Sequence, residues 1–147
     1  MTITGKRSVG TGVPGYTEVL TREEASSAHA RGLVIAALHT WNLENLAQDA
    51  ESITAELVAN AVQHSRGSVL RVSVDRISSS TVRIGVADRS HTCPVVRRPE
   101  GDEDSGRGLL LVSALAHRWG TGTRRWGKVV WAEMVAGKST NARKEVL

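Results

Sequence analysis

Hydrophobic period changes partway along this chain, and the change leaves few architectures open. Between residues 22 and 41, Ala25, Ala28, Leu33, Ala36, Ala37 and Trp41 recur near helical spacing, and Thr21 with Glu24 three residues on makes a capping box. After Asn42 and Asn45 a second helical stretch begins at Leu46 or Asp49 and runs to His64, ending at the turn Ser65-Arg66-Gly67. There the period drops to two. Residues 69–74 and 82–86 alternate apolar and polar side chains around Ser78, Ser79 and Ser80, as the arms of an antiparallel hairpin do. A short apolar helix follows Gly106-Arg107-Gly108 and carries Leu109, Leu110, Val112, Leu115 and Ala116; residues 119–125 and 128–135 form a last strand pair around Trp126-Gly127. Helices and strands in runs rather than in strict alternation predict an α+β fold with helices covering one face of a sheet.

A chain of 147 residues that is 40% hydrophobic is large enough for one core. The expected organisation is a flexible arm over residues 1–18 that ends in an edge strand, a folded domain over 19–136, and a polar tail over 137–147. The polar stretch from Asp88 to Ser105, with Pro94, Pro99 and Gly101, is longer than an ordinary connection and reads as a lid. Gly10, Gly12 and Gly15 spell G-x-G-x-x-G, but no apolar strand precedes them and Pro14 interrupts the turn, so they are not a dinucleotide fingerprint.

Composition excludes several function classes. With four Trp, one Tyr and no Phe, the chain has few platforms on which bases could stack. Its net charge of +4 is spread along the sequence, with local pairs at Arg97-Arg98 and Arg124-Arg125, so no direct nucleic-acid partner is expected. Cys93 is the only cysteine, which rules out an intrachain disulfide or a zinc site of several thiolates and fits a reducing compartment. The longest apolar run, residues 33–38, is far too short to span a bilayer, so the expectation is a cytoplasmic protein without a membrane partner.

The chemistry-bearing residues are few. Glu56, Asn60 and His64 lie four apart on the second helix, each step turning about 40° around its axis, so they form one stripe beside the apolar face of Ile53, Leu57, Val58, Ala61 and Val62. The same spacing also occurs on solvated helix edges. A carboxamide oxygen is a hard ligand suited to Mg²⁺, and a neighbouring carboxylate can accept a proton from an attacking hydroxyl. His64, at a helix end, reads as structural before catalytic. Asp88 ends an apolar strand, where its carboxylate can accept a hydrogen bond from an exocyclic amine such as that of adenine; aspartate is also a common turn former there. Gly106-Arg107-Gly108 at a helix start offers backbone N–H groups and a positive charge to phosphate.

Taken in chain order, these residues resemble a known family. Residues 56–64, Glu-Leu-Val-Ala-Asn-Ala-Val-Gln-His, look like the N box of the GHKL (Bergerat-fold) ATPase and kinase superfamily, and Ser105-Gly106-Arg107-Gly108-Leu109 looks like its second glycine box. The likeness covers residues 20 to 136 and is strongest to actinobacterial anti-sigma regulatory factor serine/threonine kinases, whose last strand the run from Gly127 to Glu133 also resembles. The resemblance implies a two-layer sandwich with helices on one face of a mixed, mostly antiparallel sheet. It implies ATP and Mg²⁺ as ligands, Glu56 as general base, Asn60 as the Mg²⁺ ligand, Asp88 as the adenine reader, and Gly106, Arg107, Gly108 and Leu109 on the phosphate side. The partners implied are a sigma factor and an anti-anti-sigma antagonist of the STAS fold, with a homodimer left open. One departure is plain: where many members have D-x-G-x-G, this chain has Asp88-Arg89-Ser90-His91-Thr92. A catalytically silent protein-binding module of the same fold is the alternative that departure favours.

Overall fold

A computed structural model of the chain describes residues 5–6, 13–90 and 104–137, with residues 5, 6 and 104–108 described by their backbone alone. Of the lid expected from Asp88 to Ser105, Asp88 is the end of a strand, Thr81–Asp88, and Ser105 lies in a helix, Asp104–Leu115, while residues 91–103, the tail beyond 137 and Cys93 lie outside the described residues. In chain order the elements are β1 (Gly5–Lys6), β2 (Gly15–Thr21), α1 (Ser26–Thr40), α2 (Ala47–His64), β3 (Val69–Arg76), β4 (Thr81–Asp88), α3 (Asp104–Leu115), β5 (Arg118–Arg124) and β6 (Gly127–Val135). They build an α+β fold around one sheet of order β1-β2-β3-β4-β6-β5. Every neighbouring pair is antiparallel, so among the described residues the sheet is not mixed as the family resemblance implies.

Strand alternation decides which side chains meet the helices. Leu70, Val72 and Val74 of β3, Val82, Ile84 and Val86 of β4, and Val130, Ala132 and Met134 of β6 are buried together under the helical layer. Tyr16 and Leu20 of β2 join them, so β2 is a full partner of β3 from Gly15 onward, inside the stretch expected to be an arm. Helix α2 packs between α1 and α3 and rests on β4 and β6. Its buried stripe is Ala50, Ile53, Thr54, Leu57, Val58, Asn60 and Ala61, with the Thr54 hydroxyl satisfied by the Ala50 carbonyl at 2.7 Å.

Helix α1 departs from its expected start. It begins four residues after Arg22, at Ser26, and the capping box does not form. Thr21 is instead the last residue of β2, paired with Val69, and its carbonyl accepts the Ser26 hydroxyl at 2.7 Å. The buried face is Ser26, Ala30, Leu33, Val34, Ala37 and Leu38, which leaves Ala25, Ala28 and Ala36 outside. The helix ends on Asn42 at φ 58, with Asn42 N–H bonded to His39 O and Leu43 N–H to Leu38 O. This is a Schellman closure with asparagine in the left-handed position that glycine more often fills, sealed by buried Leu38 and Leu43.

The other face of the sheet carries no helix among the described residues. On β6, next to the edge strand, it presents Trp131, with the guanidiniums of Arg83 and Arg118 at 4.7 and 5.4 Å from the ring centroid. Both arginines bond Glu133, Arg83 Nε to Oε2 at 2.8 Å and Arg118 Nε to Oε1 at 2.6 Å. Burial pushes the Glu133 carboxyl up, but the hydrogen bonds and charges of the two guanidiniums outweigh it and hold the group below the usual carboxylate range. The indole needs a residue without a side chain beside it: a Cβ on Gly120 would stand 2.9 Å from Trp131 Cζ2.

Candidate functional site

The stripe predicted on the second helix does lie on α2, but its members occupy three environments. Glu56 is half-buried, Asn60 is buried and His64 is exposed, because the drift of each four-residue step carries the stripe from the rim, across the packed flank, to the frayed helix end. Glu56 lines an open cleft of about 330 Å³ with Arg31 of α1, Gln48, Glu51, Ser52 and Ala55 of α2, and Leu111 of α3.

Asn60 is only 6% exposed, yet its carboxamide has no hydrogen-bond partner among the described residues. Its polar atoms are not sealed either, since the fully enclosed, unpaired polar atoms among the described residues are Thr17 Oγ1 and Arg76 Nε. A mostly buried amide that keeps a path to solvent and no internal partner is what a ligand-facing side chain requires.

Asp88 is the last residue of β4, cross-strand from Lys128 on β6. Both side chains point toward the helical layer, and the two form an ion pair that is essentially closed to solvent, at 1% exposure for the lysine side chain and 0% for the aspartate. Lys128 Nζ donates to Asp88 Oδ1 at 2.9 Å and to Oδ2 at 3.0 Å, and Ser90 N–H donates to Oδ1 at 2.8 Å. Of roughly four lone-pair sites on a carboxylate, three are taken, and the one remaining is on Oδ2. The close approach of the two strand ends depends on Gly127, at φ 158, where a Cβ would fall 2.0 Å from the Asp88 carbonyl oxygen. Lys128 is the candidate-site residue that sequence reasoning missed, although its position in the inward phase of residues 128–134 marks it as a buried charge in need of a partner.

Helix α3 starts at Asp104, two residues before Gly106, so Gly106 falls in the first turn, among the amides without an intrahelical acceptor, and Gly108 comes after them. Leu109 is buried and fixes this turn, and α3 packs against α2. Helix α2 thus packs against α3 and over β4, and Leu111 of α3 shares the cleft with Glu56, whereas the partners of Asp88 are Lys128 and Ser90 and include no residue of α2. Among the described residues no group of three or more His, Cys, Asp or Glu side chains converges as a metal cage would. A phosphate-bridged Mg²⁺ needs fewer protein ligands than that. No helix of the described residues is long and apolar enough to cross a membrane. No protein-family model matches the chain, and no relative was found among curated proteins.

Proposed function

We propose that this chain is an ATP- and Mg²⁺-binding regulator of the Bergerat type, a serine/threonine kinase for a STAS-type antagonist that also holds a sigma factor. The observation that carries the reading is Asn60, a buried carboxamide without an internal partner, one turn beyond Glu56 on the helix that joins α3 to β4. Asn60 fits the ligand as it stands, and Asp88 fits it only if the closure around its carboxylate opens. The Asn60 carboxamide oxygen would hold Mg²⁺, the free lone pair of Asp88 Oδ2 would accept an exocyclic amine, and the amides around Gly106 with the Arg107 charge would meet phosphate. Bound ATP would supply the γ-phosphoryl group, with ADP as the leaving group. Glu56, half-buried at the open rim, would take the proton of a serine or threonine hydroxyl.

One observation favours a second reading. The Asp88 carboxylate is closed by Lys128 and has no solvent exposure, so base recognition requires a displacement around it. A protein-binding module of the same fold that performs no phosphoryl transfer would keep that pair permanently shut. Calorimetric titration of MgATP into the wild type and into Asn60→Ala separates the readings. Saturable binding that the variant loses while keeping its thermal transition supports the nucleotide site. A wild type silent at millimolar MgATP sinks it and leaves the partner-binding module. Where ATP binds, transfer of labelled phosphate to candidate antagonists, abolished in Glu56→Gln, tests the kinase step.

A further inference from the structure

Scattered exposed apolar side chains are ordinary, whereas a cluster of them calls for an explanation. Of the five large exposed hydrophobics among the described residues, three meet at one place: Val19 at 38%, Val69 at 42% and Trp126 at 52% exposure. They line a groove of about 290 Å³ with Arg71, Ala87 and Arg89, at the strand ends that carry Asp88 but on the opposite face of the sheet. Register explains the grouping, since Val19 pairs with Arg71 and Arg71 with Ala87, which sets one outward row across β2, β3 and β4. Leu70 and Asp88, also at the groove, are buried and turn their side chains to the helical layer.

The electrostatics of the groove have one sign. Neither Arg71 nor Arg89 makes a hydrogen bond or ion pair with its side chain among the described residues, in contrast to Arg83 and Arg118 on the same face, both held by Glu133. Among the described residues, the only carboxylate at the groove belongs to Asp88, which faces the other way and is neutralised by Lys128. An exposed tryptophan flanked by arginines over an aliphatic floor is the composition of an interface hot spot.

We propose that this groove docks an acidic segment of a partner protein, in extended form, with an apolar side chain seated on Val19, Val69 and Trp126 and carboxylates meeting Arg71 and Arg89. Extended chains put alternate side chains on one face, so a segment that alternates acidic and apolar residues can meet the arginines and the apolar side chains of the groove from one side. A single exposed aromatic and two uncommitted arginines are too few to track a nucleic-acid strand, which needs a row of stacking rings and phosphate contacts. The surface lies across the sheet from the nucleotide site and does not rest on that reading.

The test is fluorescence anisotropy of a short fluorescein-labelled peptide in which aspartates flank a leucine at alternate positions, with its lysine-for-aspartate counterpart as control. Wild type is expected to bind the acidic peptide saturably and more weakly as salt rises. The double reversal Arg71→Glu with Arg89→Glu is expected to weaken it at least tenfold and to gain binding of the lysine peptide; Trp126→Ala is expected to weaken it without altering the salt dependence. All these side chains are exposed or half-exposed, so the variants should keep the wild-type thermal transition, and MgATP titration of the same proteins reports separately on the opposite face. Failure of the wild type to bind the acidic peptide, or binding unchanged by the reversal, overturns the proposal. So does an oligonucleotide that binds through Arg71 and Arg89 where the peptide does not.

Discussion

Replacing Lys128 with methionine keeps most of the buried stem and deletes the ammonium that closes on Asp88. At the observed 2.9 Å, Coulomb attraction at an effective dielectric of about 20 is roughly 5–6 kcal/mol, and desolvation of the two ions takes back much of it. The net value of the pair is therefore small, but removing one partner strands the other charge. The expected loss for Lys128→Met is about 3–5 kcal/mol, a large part of the ~5–15 kcal/mol that a domain of this size has. With a urea slope near 2 kcal/mol per molar, the midpoint should fall by about 2 M at neutral pH. The double variant Asp88→Leu with Lys128→Met should regain most of that loss, because no buried charge is left unpaired. A single-variant loss below about 1 kcal/mol, or a double variant no more stable than the single, would refute the view that Asp88 and Lys128 form one closed unit.

Asn60→Leu should be neutral or stabilising by urea titration while abolishing MgATP binding, since the carboxamide has no internal partner to lose; marked destabilisation would mean that the amide is structural. Glu133 has a depressed folded-state pKa, so its contribution is fully present above the unfolded value of about 4.3 and is lost as pH falls through the folded one. The gap in urea midpoint between wild type and Glu133→Gln should therefore narrow below pH ~4, and a gap independent of pH would count against the guanidinium clamp. Gly127→Ala should lower the thermal midpoint, because its Cβ would overlap the Asp88 carbonyl and its φ of 158 disfavours a side chain. An unchanged midpoint would show that the strand ends can part without penalty.

Much of the fold was legible because period-two alternation in residues 69–74 and 82–86 is strict, and β3 and β4 form around the three serines as that pattern requires. The start of α1 was not. Alanines count as apolar in a periodicity argument, yet Ala25, Ala28 and Ala36 contribute little to burial, and the face is set by Val34 and Leu38. Thr21 could not serve as a cap because the β2–β3 ladder already holds it. At the candidate site, helical spacing set Glu56, Asn60 and His64 in one stripe but could not say how deeply each sits, since depth depends on where α3 and β4 pack. The Asp88–Lys128 pair depends on cross-strand register between β4 and β6, elements separated by forty residues, and no local pattern encodes that register. The groove around Trp126 was invisible for the same reason, since its side chains come from three strands and a turn.

The edge strand β5 has a consequence for how this protein behaves at high concentration. An outermost strand presents a row of unpaired peptide groups on which a second chain can add. Here that row runs through Arg118, Gly120, Thr121, Gly122, Thr123 and Arg124, with Trp119 half-buried against the core as its one large apolar side chain. The two glycines of this row give an incoming strand little to grip. Strand addition at this edge is therefore disfavoured, so the sheet face that no described helix covers can receive other proteins without the edge becoming a template for aggregation.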